Sequence, residues 1–190
     1  PTCLTKNVSL KRTQPTSMIY IAILRGINVS GSKKLPMAEL RELLSNLGFE
    51  SVQTYIQSGN VIFKSSEKNQ EKLENQISEA IKKQYDYDVP VLVKTIEQWK
   101  KAIANNPFTE GDISKQAITF LATIPEETTI EIDSKGDQFK IIDSEVYLYC
   151  PNGFGRSKLS NNLFERKLKT RATTRNWKTI HKLLDLAEAL

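Results

Sequence analysis

Histidine and cysteine are nearly missing from this chain. Its 190 residues hold one histidine, His181, and two cysteines, Cys3 and Cys150. A structural zinc site takes about four Cys or His ligands, and a Ser–His–Asp triad needs a positioned imidazole. No metal site is therefore expected. His181 falls near the apolar stripe of a helical pattern and reads as a partly buried structural residue. Cys3 lies in a polar leader and neither cysteine has a CxxC neighbour, so both read as inert thiols in a reducing compartment. Long apolar runs are also absent. "MIYIAIL", residues 18–24, is the most apolar run, far short of the roughly 18 residues of a membrane helix. "RGIN" follows it instead of a small-residue cleavage site. These absences predict a cytoplasmic protein without a membrane partner. The GxxxxGK[ST] phosphate loop is missing as well, and no cofactor is implied.

Acidic residues are scarce in one region. Nine basic residues lie between Arg156 and Lys182, opposed only by Glu165, for a regional charge of +8. The whole chain carries +5, so the remainder sums to −3. Such asymmetry predicts an anionic partner at the C-terminal end; a merely solvated basic surface is the alternative.

What is present predicts an α+β fold. Residues 1–17 lack acids and periodicity and read as a leader, either disordered or an upstream addition foreign to the fold. Residues 18–24 predict a strand. Pro36 suits a first helical turn, with Leu40, Leu43, Leu44 and Leu47 as the apolar face and Gly48 as the stop. Strands at 52–56 and 60–63 flank the turn "QSG". A helix carries Leu73, Ile77, Ala80 and Ile81, and "VPVLV" is a fourth strand. The order β-α-β-β-α-β is ferredoxin-like, with helices packed on one face of an antiparallel sheet. A connecting helix bears Ile96, Trp99 and Ile103. The second half repeats the plan partially: a strand at 117–122, an irregular acidic stretch at 125–136, strands near 139–142 and 146–150, and a helix beginning near Ser157 or Asn162. No fourth strand is evident, and an extra C-terminal helix begins near Thr173. The division is 18–94 and 95–190, two ferredoxin-like halves.

Three polar groups stand out. At "ATTRNWKT", Thr173 reads as an N-cap. Thr174, Arg175 and Asn176 then sit on an exposed helix start, where a guanidinium is unfavourable unless an anion lies beside it. "PNGFGRSKLS" places Arg156, Ser157 and Lys158 after Gly153 and Gly155 at another helix start, a glycine-rich anion cradle. In the ferredoxin-like order the end of the first strand meets the start of the third. That brings Arg25, Gly26 and Asn28 beside Gln57, Ser58, Gly59 and Asn60. "NVSGSKKLP", residues 28–36, is a candidate closing loop. Each group also reads as ordinary caps, turns and surface charge.

Taken together, "YIAILRGINV", "MAEL", "TYIQSGNVIF", "NPF", "PNGFGRSKL", "NLFERKL" and "ATTRNWKT" resemble the bacterial family labelled domain of unknown function 1697 (DUF1697), from about Met18 to the C-terminus. The resemblance implies a duplicated ferredoxin-like architecture in a cytoplasmic bacterial protein, and no activity. The family's characteristic polar positions fall on Arg25, Asn28, Ser58, Asn60, Arg156, Ser157, Lys158, Thr173, Thr174, Arg175 and Asn176. Three functions remain open at this point. The first is binding of a phosphate-bearing ligand or nucleic acid by the basic C-terminal region. The second is an enzyme acting on a phosphorylated or carboxylated small molecule, with a Ser or Thr nucleophile but no evident general base. The third is a structural protein without a ligand. Sequence leaves catalysis and oligomeric state undecided.

Overall fold

The computed structural model describes residues 16–190; Cys3 and most of the leader lie outside the described residues. The first half runs β1 (Met18–Leu24), α1 (Met37–Asn46), β2 (Glu50–Tyr55), β3 (Asn60–Ser65), α2 (Gln70–Tyr85) and β4 (Val91–Thr95). Its strands form one antiparallel sheet in the order β2-β3-β1-β4, which is ferredoxin-like. β1 is buried from Tyr20 to Leu24, as expected for a continuous apolar run in a central strand. Gly48, at φ +88°, ends the first helix and turns the chain toward β2.

α3 (Ile96–Ala104) follows β4 directly, capped by Thr95 and Gln98 in a reciprocal capping box. The second half runs β5 (Gln116–Leu121), β6 (Gln138–Ile142), β7 (Glu145–Tyr149), α4 (Asn161–Leu168), β8 (Ala172–Asn176) and α5 (Trp177–Glu188). Its sheet, β6-β7-β5-β8, repeats the first in order and direction. The counterpart of α1 is missing. Residues 122–137 carry Pro125, the β-branched run Thr128-Thr129-Ile130, and Gly136 at φ +94°, a composition that disfavours helix. Ile130 and Ile132 pack on the sheet where a helix would lie.

Here the structure corrects the sequence reading. Residues 172–176 are a strand, β8, paired with β5 from Leu121↔Ala172 to Ala117↔Asn176. The last helix begins at Trp177, and its N-cap is Asn176, whose side chain accepts from Thr179 N–H. Thr173 is no cap; it is fully buried, and its hydroxyl has no hydrogen-bond partner. Hydroxyls beside an amide mimic a cap in sequence, but pairing with a central strand decides the conformation.

Three apolar layers result. α1 and α2 cover one face of the first sheet, and α4 covers the outer face of the second. Between the sheets lies a shared core. Ile21, Ile23, Ile62 and Leu92 from one sheet, and Ile118, Phe120 and Tyr147 from the other, close over Trp99 of α3 and Trp177, Ile180 and Leu183 of α5. Trp99 stacks on Phe120 at 4.5 Å and donates to Ile180 O at 3.0 Å; such a pair contributes about 0.5–1.5 kcal/mol beyond its buried area. No helix among the described residues is long and apolar enough to cross a membrane.

Candidate functional site

The first polar group converges as the topology requires. Leu24 N–H donates to Gly59 O at 2.8 Å, so the end of β1 abuts the β2–β3 turn. Gly59 is tight there: at φ +77°, an added Cβ would lie 2.7 Å from Leu24 Cβ. Asn28 donates to Leu35 O and Gln57 O and accepts from Leu35 N–H. It therefore closes the 28–35 loop on itself and pins it to the turn. Asn60 donates to Tyr55 O and Ser58 Oγ.

Into this turn comes Arg175, from the other half of the molecule. It is 9% exposed. Its Nε donates to Asn60 Oδ1, Nη1 to Thr174 O, and Nη2 to Leu24 O, Ser58 O and Gly59 O. Burial pushes its pKa down to about 10, which still leaves it charged at neutral pH. The exposed anion-holding role expected from sequence does not fit: its donors are spent on protein carbonyls and an amide. Thr174, its neighbour, bonds Thr119 Oγ1 at 2.7 Å and Asn161 Oδ1 at 2.6 Å. Arg25 also reaches the other half, meeting Glu165 at 2.5 Å and Ala172 O at 2.9 Å. Arg171 returns the contact, meeting Glu74 at 2.8 Å and Val91 O at 3.0 Å. Arg25, Ser58, Asn60 and Arg175 thus form a latch between halves.

The latch has a counterpart that sequence reading missed. Lys94 faces Ile21 across β1–β4, as Arg175 faces Ile118 across β5–β8. Lys94, also 9% exposed, reaches Leu121 O at 3.4 Å, Ser144 Oγ at 3.2 Å and Glu145 at 3.8 Å. Those acceptors occupy the places of Leu24, Gly59 and Asn60 in the other sheet. A lone lysine in the apolar strand "VLVKT", just before a helix, was the available signal, matched by the arginine in "ATTRN".

The remaining predicted residues lie elsewhere. Arg156, Ser157 and Lys158 follow Gly153, which sits at φ +84° before a 3-10 turn at Phe154–Arg156. A cleft of about 570 Å³ opens beside them, walled by Glu131 and Asp133 on one side and by Ser157, Lys158, Asn162, Arg166 and Lys167 on the other. Ser157 accepts from Leu159 N–H, and Ser160 caps α4 by accepting from Leu163 N–H. Lys158 meets Asp133 at 3.3 Å, with both side chains half or more exposed; such pairs contribute at most about 1 kcal/mol. Of the nine C-terminal cations, Lys158, Arg171 and Arg175 are bonded internally. Arg156, Arg166, Lys167, Lys169, Lys178 and Lys182 are exposed and have no ion pair among the described residues. Cys150, behind Ser157, is fully buried, and burial pushes its thiol up, which suits an inert role. His181 is exposed, contrary to expectation, with its ring edge-on to Trp177 at 5.2 Å. Among the described residues no group of three or more His, Cys, Asp or Glu side chains is placed to hold a metal ion.

Two ferredoxin-like sheets latched through reciprocal basic side chains define a duplicated α+β protein. The same architecture is found in a conserved bacterial protein from Streptococcus pneumoniae, which is 23% identical; the alignment covers 90% of this chain and 99% of that one at a TM-score of 0.72. The chain belongs to the family described as a protein of unknown function, DUF1697, which matches residues 18–147. No curated protein matches it.

Proposed function

We propose that this chain binds a small phosphate-bearing ligand in the cleft beside α4. The observation that carries this reading is the set of exposed, unpaired cations at that cleft. Arg166 and Lys167 wall it, and Arg156 and Lys169 lie at the two ends of the same segment. Lys158 is held only by a solvent-screened pair and is free to exchange Asp133 for a ligand anion. The start of α4 adds unpaired backbone donors and a favourable dipole.

Two features favour a small ligand over nucleic acid. α4 and α5 pack on opposite faces of the second sheet, so the free cations form two patches rather than one track. The sheet faces, which stack bases in RNA-binding relatives of this fold, are covered; Phe63 is fully buried between Tyr20 and Phe49. Catalysis has less support, because neither Ser157 Oγ nor Ser160 Oγ has a carboxylate or imidazole as hydrogen-bond partner.

Calorimetric titration with inorganic pyrophosphate tests the reading. Saturable binding is expected, weakened about tenfold or more by Arg166→Ala with Lys167→Ala, a loss of about 1.4 kcal/mol. Absence of binding, or binding indifferent to that double substitution, rejects it. A random oligonucleotide that binds with a steep salt dependence would return the case to nucleic acid.

A further inference from the structure

A second cleft, on the other side of the second sheet, has a different chemistry. It measures about 630 Å³ and lies where the end of β2, the 3-10 turn at Ile113–Lys115 and the first turns of α5 meet. Its walls are Tyr55, Ile113, Trp177 and His181, and Lys178, Lys182 and Asp185 line it as well. None of these residues belongs to the latch or to the α4 cleft.

The volume is that of a small-molecule pocket, and apolar walls with a few polar groups are the usual composition of one. Ile113 is 65% exposed on a turn that holds no core position. Trp177 is 8% exposed, anchored by the inter-sheet core on one side and met edge-on by His181 on the other. Flat rings stack favourably against such walls. Lys178 and Lys182 stand one helical turn apart on α5 with no carboxylate partner among the described residues. Like charges at that spacing repel, and an anionic group between them relieves the repulsion.

We infer that this cleft binds a flat aromatic molecule carrying one anionic group, with the ring against Trp177, His181 and Ile113 and the anion between Lys178 and Lys182. Apolar walls and a paired cationic edge at the same place are both needed for that choice. A purely apolar partner would leave the lysines unused, and inorganic phosphate would leave the ring walls unused.

The full chain is titrated with 2-naphthoate and, separately, with its neutral analogue 2-naphthalenemethanol, read by calorimetry and by tryptophan emission. Trp177 borders the cleft, and Trp99 is fully buried. The acid should bind saturably and at least fivefold more tightly than the alcohol. Lys178→Ala with Lys182→Ala should erase that preference and leave the alcohol's affinity unchanged. Ile113→Arg, a change at an exposed position, should weaken both ligands. Arg166→Ala with Lys167→Ala should alter neither, so the fate of this site is read apart from that of the α4 cleft. The proposal is overturned by absence of saturable binding, by equal affinity for acid and alcohol, or by sensitivity to the α4 substitutions. It is also overturned if sedimentation shows a dimer that Ile113→Arg dissociates, because the cleft would then hold a second copy of this chain.

Discussion

Lys94 and Arg175 occupy the same place in two copies of one fold, yet they solve the same problem with different chemistry. Each is the penultimate residue of its sheet's fourth strand, and each crosses to the turn of the opposite sheet. Arg175 meets neutral acceptors: three carbonyls of the first half and the Asn60 amide. Lys94 meets a carbonyl, a hydroxyl and the buried carboxylate of Glu145. A guanidinium is weakly hydrated and presents a fork of donors, so an array of neutral oxygens can satisfy it. An ammonium is compact and strongly hydrated, and its burial calls for an opposing charge. The duplicated backbone dictates where a cation must go, and the turn it enters dictates which cation.

Breaking the arginine side should have the largest effect. Arg175→Ala strands Leu24 O and Asn60 Oδ1 in a buried space, at about 1–3 kcal/mol per unsatisfied group. A loss of about 3–5 kcal/mol is expected, read as a fall in the urea midpoint with the slope unchanged. Arg175→Lys should recover only part, since a point charge cannot reproduce the fork. A loss below about 1 kcal/mol would mean that the latch holds nothing.

The lysine side sharpens the contrast through a pair of double substitutions. Lys94→Met leaves the Glu145 carboxylate, 8% exposed, without its cation, and should cost about 1–3 kcal/mol. Adding Glu145→Gln removes the stranded charge and should restore most of that loss, because replacing a buried ion pair by neutral groups is often tolerated. The matching change on the other side, Arg175→Met with Asn60→Leu, should restore little. Backbone carbonyls cannot be mutated away, and those of Leu24 and Ser58 lose their arginine donor. Equal recovery on both sides, measured by thermal unfolding, would erase the distinction drawn between the two cations.

The first half was legible because its signals are local and apolar. "MIYIAIL", Pro36, the leucines of α1 and the turn before Asn60 each announce one element, and the ferredoxin-like order then places Arg25 beside Ser58. β8 was not legible because its residues have no apolar pattern. "ATTRN" makes a strand only by pairing with β5 on one side, while Arg175 is drawn into the other half. The same contact explains why the candidate site was half legible. Sequence locates charge, as it does for the nine cations between Arg156 and Lys182. It does not reveal which of them the protein neutralises itself. Arg175 and Arg171 are spent on partners 80 or more residues away, whereas Arg166 and Lys167 are left free.

The smallest effect is one of pH, and it tests the lysine half of the comparison alone. Burial lowers the Lys94 pKa from its ordinary value, and the attraction of Glu145 and Glu74 only partly opposes that. In the unfolded chain Lys94 titrates near ~10.4. Between the lowered value and ~10.4 the unfolded state holds more protons than the folded one, so stability rises with pH through that window. Lys94→Met lacks this contribution. The stability gap between wild type and Lys94→Met should therefore widen as pH is raised through that window toward ~10.4, followed by urea unfolding at each pH. A narrowing gap would mean that the carboxylates outweigh desolvation. Lys94 would then be a stabilising ion-pair partner, and not a buried cation whose charge its own fold disfavours.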